Sequence, residues 1–314
     1  PEQTAQALER LTKAAESGQD CAQYALGKIY RDGQGVEKDI QKAVALFTLA
    51  ATKENSFAAF ALGKLYLAGD AALPRDPAAA LKWLTYAAEL GNQFAQYRLG
   101  KLLLKGDDGI PKDVIAAIRW LTAAAKQENG YAEYALALVY LTGEDAPKDS
   151  VKALSLLKRS AGRGNQFAQY RLGKLLLQGE DAPKDVKAAI RWLTAAAEQG
   201  NQYAQYALGK LYLLGKEVPK DRSSAIKWFQ LAADQGNEYA QYFLEHMDDR
   251  LGQPPVAAVI SLFHHLANIF QEQNQPPPSG GVRVVVDRKL LRKIKAKKIA
   301  QGHKADDHEP EMQL

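Results

Sequence analysis

Apolar residues along the chain recur at i, i+4 and i+7 or i+8, and the strict alternation of a half-buried strand is absent, so the pattern predicts helices throughout. The helices come in repeats. An alanine followed four positions later by leucine, usually with glycine next, returns as Ala22/Leu26/Gly27, Ala58/Leu62/Gly63, Ala95/Leu99/Gly100, Ala132/Leu136, Ala168/Leu172/Gly173, Ala204/Leu208/Gly209 and Ala240/Leu244. Successive alanines lie 36 or 37 residues apart, a fixed period that marks a stacked array of one supersecondary unit. A second pattern fills the space between them, clearest from Asp185 to Gly200, with equivalents ending near Gly18, Gly91 and Gly236. Each unit therefore predicts two antiparallel helices, a first-type and a second-type. Residues 91–104 and 164–177 are identical, which marks a duplicated two-repeat block.

The punctuation agrees with the periodicity. The second-type helix starts at an aspartate after Pro-Lys (Asp113, Asp149, Asp185, Asp221), where a short acceptor caps free backbone N–H groups and its charge suits the helix dipole. It stops at glycine, which tolerates the left-handed backbone that ends helices. Ala95 and Gly100 are small enough to let helices approach closely. Trp83, Trp120, Trp192 and Trp228 share one repeated position, read as inter-helix packing rather than chemistry.

These residues resemble the Sel-one-like repeats (SLR), relatives of the tetratricopeptide hairpins, in the string from Ala204 to Tyr212, the Pro-Lys-Asp loop, and Ala225 to Gly236. The resemblance covers residues 1 to about 247. It implies an all-α fold, a right-handed α-α solenoid of about seven 36-residue hairpins over residues 1–250, and a role as a scaffold that holds other proteins. Departures fall at Ala137 and Glu245, in place of the glycine, and at Leu46-Phe47 and Leu156-Leu157 in the tryptophan region; those units are expected to pack less closely.

Residues 254–273 read as an amphipathic capping helix and 274–281 as a Pro/Gly linker. Residues 282–314 read as a basic tail, helical at first and then disordered. Nine cations against Asp287 give residues 283–304 a charge of +8, whereas residues 1–282 sum to +1, so the basicity of the chain belongs to its tail. Arg288, Lys289, Arg292, Lys293, Lys295, Lys297 and Lys298 are the candidate nucleic-acid contacts, an electrostatic and non-specific interaction with DNA. The string from Leu262 to Glu309 resembles the C-terminal end of MobL/MobP-type relaxases of conjugative elements. That resemblance implies the non-catalytic repeat region of a mobilisation protein; a free-standing adaptor in a bacterial signalling or assembly pathway is the alternative.

Chemistry is sparse. The five histidines and the lone Cys21 form no catalytic or metal-ligand signature, so neither an enzyme, a cofactor nor a metal is expected. No apolar run reaches the roughly 18 residues a membrane span needs. A single cysteine fits a reducing, cytoplasmic setting. The sequence opens at Pro1 with no charged-then-apolar leader and is read as a piece of something longer.

One candidate binding surface remains. With Ala95, Leu99 and Leu103 as the packed stripe of a first-type helix, Phe94, Tyr97, Arg98 and Lys101 fall on the opposite side. An aromatic with a cation four residues on recurs as Tyr24/Lys28, Phe60/Lys64, Tyr97/Lys101, Tyr170/Lys174 and Tyr206/Lys210, with breaks at Tyr134/Leu138 and Tyr242/His246. Two readings follow: tyrosines packed against the next repeat with solvated lysines, or a ladder on the concave face that grips a protein partner's extended acidic peptide.

Overall fold

The computed structural model describes residues 2–106 and 109–247. Among them are fourteen α-helices and no β-strand. The second-type helices are α1 (Glu2–Glu16), α3 (Ile40–Ala51), α5 (Pro77–Glu89), α7 (Val114–Lys126), α9 (Ser150–Gly162), α11 (Val186–Glu198) and α13 (Arg222–Asp234). The first-type helices alternate with them as α2 (Asp20–Asp32), α4 (Ser56–Ala68), α6 (Gln93–Lys105), α8 (Gly130–Thr142), α10 (Gln166–Gln178), α12 (Gln202–Leu214) and α14 (Glu238–Met247). Six complete pairs, α2–α3 through α12–α13, are thus flanked by α1 and α14. The chain divides into two units, residues 1–241 and 242–314, and the six pairs lie in the first. The capping helix at 254–273, the linker at 274–281 and the basic tail at 282–314 lie outside the described residues.

Helix starts follow the chemistry of the caps. The carboxylates of Asp113, Asp149, Asp185 and Asp221 accept from the N–H groups of Ala116, Lys152, Ala188 and Ser224 at 2.9–3.0 Å, and Asp39 and Asp76 repeat the bond. Six of the seven first-type helices use asparagine instead, whereas α2 follows Gln19, whose side chain makes no cap bond. Asn55, Asn92, Asn129, Asn165, Asn201 and Asn237 each accept from the N–H three residues on, which satisfies a donor that the helix itself leaves free.

Each pair closes around one contact. Leu26, Leu62, Leu99, Leu136, Leu172 and Leu208 are buried on the first helix, and Phe47, Leu84, Leu121, Leu157, Leu193 and Phe229 are fully buried on the second. The latter residue lies over the repeated glycine: a methyl group on Gly100 would fall 2.6 Å from Leu121 Cγ, and on Gly209 it would fall 2.7 Å from the Phe229 ring. Glycine in a helix interior costs about 0.5–1 kcal/mol relative to alanine, and here that cost permits the close approach. The tryptophans pack against the same clusters but stay only partly buried. They stand one residue, or about 100° of helix, away from the buried position. The units that diverge at Leu46-Phe47, Ala137 and Leu156-Leu157 are not loose, since Phe47, Ala137 and Leu157 are fully buried, whereas Glu245 is exposed.

Loop lysines bridge neighbouring units: Lys38 to Asp70 (2.9 Å), Lys112 to Asp145 (2.6 Å), Lys148 to Asp181 (2.8 Å) and Lys184 to Glu217 (2.8 Å). Exposed pairs of this kind contribute about 0–1 kcal/mol each. Apolar burial, at about 25 cal/mol per Å², is therefore the larger force joining the repeats.

Candidate functional site

The sequence-predicted aromatics do line up, and their first partners are other rings. Tyr24, Phe60, Tyr97, Tyr134, Tyr170 and Tyr206 meet Phe57, Phe94, Tyr131, Phe167, Tyr203 and Tyr239 of the following repeat, with centroids 6.0–6.4 Å apart. The result is two parallel rows of rings crossing every repeat junction. The row carrying the tyrosine ladder is half-buried. In the other row Phe57, Phe94 and Tyr131 reach solvent, at 51%, 49% and 53% exposed, while Phe167, Tyr203 and Tyr239 are half-buried.

The lysines lie along their own rings. Lys28, Lys64, Lys101 and Lys174 place Nζ 5.8, 5.6, 6.0 and 5.8 Å from the centroids of Tyr24, Phe60, Tyr97 and Tyr170. Such cation–π contacts contribute about 0.5–1 kcal/mol when exposed. Lys28 and Lys64 are exposed, whereas Lys101, Lys174 and Lys210 are half-buried. Burial pushes the Lys174 and Lys210 ammonium groups below their ordinary range, and neighbouring Arg171 adds to the effect at Lys174.

Burial also raises Tyr97, Tyr134, Tyr170 and Tyr206, with Tyr170 pushed up to about 12. A folded-state pKa above the unfolded value near 10 means that the stability gained by keeping this phenol neutral is complete below pH 10 and lost as pH rises toward 12. Phenolate absorbance should therefore show a fraction of the tyrosines ionising only as the helical signal collapses near pH 12. Ionisation of every tyrosine with the helices intact would remove this ladder from the packed interior.

Repeat four departs from the others. Leu138 replaces the lysine, and Glu133, fully buried, replaces the glutamine found as Gln96, Gln169 and Gln205. Glu133 is ion-paired to Arg159 at 2.7 Å and to Arg163 at 3.3 Å. The candidate DNA contacts Arg288, Lys289, Arg292, Lys293, Lys295, Lys297 and Lys298 lie outside the described residues. Among the described residues no helix is long and apolar enough to cross a membrane, and no group of three or more His, Cys, Asp or Glu side chains is placed to hold a metal ion.

The Sel1 repeat model matches residues 22–55, 56–92, 93–129, 130–165, 166–201 and 202–237, more than half of the chain. The chain belongs to the Sel1-repeat family. Its helical hairpins resemble those of c5321, a protective antigen of uropathogenic Escherichia coli with an SLR fold, at 35% identity and a TM-score of 0.69 over 79% of this chain. A Sel1 repeat protein from Oxalobacter formigenes is 34% identical with a TM-score of 0.69 over 76% of this chain. The chain spans 53% of the length of the first and 68% of the second. No curated protein matches it.

Proposed function

We propose that this Sel1-repeat chain is a non-catalytic scaffold that binds an extended acidic segment of a protein partner across its first-type helices. The observation that carries the reading is the exposed aromatic row, Phe57, Phe94 and Tyr131, running beside the cations Lys28, Lys64, Arg98 and Lys101. Rings offer rigid contact area at small entropic cost, and cations supply charge complementarity and on-rate. Two cellular contexts, the repeat region of a mobilisation protein or a free-standing adaptor, give the chain this same role. The mobilisation context rests on the 262–309 string, and the adaptor context on the repeats alone.

The ring contacts also decide how the surface is tested. Replacing Tyr97 or Tyr170 by alanine would remove inter-repeat packing along with any partner contact. The gentler variant changes side chains that reach solvent, the exposed Lys64 and Phe94 and the half-buried Lys101, at the cost of the Phe94–Phe60 ring contact: Lys64→Glu and Lys101→Glu with Phe94→Ala. Pull-down from cell extract with this triple variant should lose the partner captured by the unmodified chain, by about 2 kcal/mol or more if Phe94 is a binding anchor, while circular dichroism stays helical. Undiminished capture would move the binding site to another face.

A further inference from the structure

Repeats three and five carry the same fourteen residues, yet the repeats that follow them differ at the next ladder position, Leu138 after repeat three and Lys210 after repeat five. In repeat five, Arg171 and Lys174 lie one turn apart on α10. The side-chain Nε of Arg171 is buried and has no hydrogen-bond partner. Arg171 and Lys210 both act on Lys174 through space, and both are positive. The position that Lys210 holds in repeat six is held in repeat four by Leu138, so the repeat that follows Arg98 and Lys101 brings no cation at this position. One acid that feels Arg171, Asp181, is already held by Lys148 at 2.8 Å and by the Ser150 hydroxyl at 2.7 Å. Tyr134 and Tyr170 wall the cluster and feel Arg171, with Tyr203 stacked on Tyr170 at 6.1 Å.

Like charges gathered in a half-buried, ring-lined setting repel one another and lose hydration, and an incoming anion relieves both costs. We propose that Arg171 and Lys174, reinforced by Lys210, form a subsite for one aspartate or glutamate carboxylate of the bound partner segment. This rests on the scaffold reading above and adds a register to it. The anchoring acid sits over repeats five and six, and the ligand residue that passes Tyr134 and Leu138 is apolar. Protein rather than nucleic acid is favoured because the cations are few and residues 1–282 sum to only +1. A polyphosphate backbone is matched instead by a continuous basic stripe.

The test uses the full chain with its lysines carbon-13 dimethylated, a modification that keeps their charge, and hexaglutamate as the probe. The Lys174 methyl signal is assigned by its disappearance in Lys174→Met. That signal should shift with hexaglutamate, and Arg171→Gln should raise the midpoint of the shift about tenfold, as expected for loss of a charge-assisted bond. Arg171→Lys should restore much of it, and Lys126→Gln, at an exposed lysine of α7, should leave it unchanged. Movement of other lysine signals with Lys174 still, or an Arg171→Gln midpoint equal to that of the parent, overturns the subsite. A single-stranded oligonucleotide shifting Lys174 at lower concentration than hexaglutamate overturns the choice of a protein ligand. A silent Lys174 in a chain whose Lys64→Glu, Lys101→Glu and Phe94→Ala variant still loses its partner overturns the subsite and leaves the scaffold standing.

Discussion

Leu121→Ala is expected to destabilise the array by about 2–5 kcal/mol, the usual cost of a leucine cavity in a packed core, and Gly100→Ala is expected to change sign depending on whether Leu121 is present. In the parent chain a methyl on Gly100 would fall 2.6 Å from Leu121 Cγ and 3.2 Å from the Ala117 carbonyl oxygen. Overpacking of this kind costs about 1–3 kcal/mol, more than the roughly 1 kcal/mol that alanine gains over glycine in a helix. Once Leu121 is truncated the methyl has space to occupy. Gly100→Ala should then stabilise, by helix propensity and by filling part of the cavity. Ala137 beside Leu157 shows that the fold accommodates a methyl here when the whole pair is built around it. Denaturant midpoints for the four proteins of this cycle measure the coupling. Additive effects would mean that Gly100 and Leu121 are not one packing unit.

How much of this is legible in the sequence depends on what repetition records. The helical pairs, the aspartate caps and the close approach at Gly100 can be read because each recurs at a fixed spacing, and recurrence separates a structural requirement from chance. The tryptophans mark the right region of the second helix, but Leu121 and Phe229, the next residues along, are the ones fully buried. Size draws attention to Trp120 and Trp228, whereas orientation is set by 100° steps around the helix axis. The exposed row of Phe57 and Tyr131 escapes the sequence reading, although an aromatic precedes the motif alanine in every unit except the first, where Cys21 stands. The distinction between Lys101 and Lys174 cannot be read at all from their own repeats, since the fourteen residues around each are the same. What differs is the repeats on either side, Lys64 and Leu138 flanking one and Leu138 and Lys210 the other.

Repeat four gives the second large effect. Removing both arginines, Arg159→Ala with Arg163→Ala, would leave the fully buried Glu133 carboxylate without either cation that now neutralises it. An uncompensated buried charge costs about 3–5 kcal/mol, and the denaturant midpoint should fall accordingly. Arg163 also bonds Glu128 at 2.9 Å, and that arginine holds the Glu128 carboxyl below its ordinary range, but this outer contact is exposed and adds little. The other repeats show how the site is built without charge. Gln127 donates to Gln96 at 2.9 Å, Gln199 to Gln169 at 2.7 Å and Gln235 to Gln205 at 2.7 Å. Gln96, Gln169 and Gln205 in turn donate to the carbonyls of Ala88, Ala161 and Ala197. In repeat four the matching carbonyl, Ala125, faces Arg159 at 3.4 Å. Glu133→Gln together with Arg163→Gln would rebuild the neutral pair: the amide introduced in place of Glu133 could donate to the Ala125 carbonyl, and the amide introduced in place of Arg163 could donate to the first. The double glutamine protein should therefore melt close to the parent, whereas Glu133→Gln alone keeps two arginines facing a neutral amide and should lie between the extremes. If the double glutamine protein proves as unstable as the arginine-less one, the glutamine and ion-pair versions are not interchangeable, and the buried charge holds repeat four by a means the neighbouring repeats do not share.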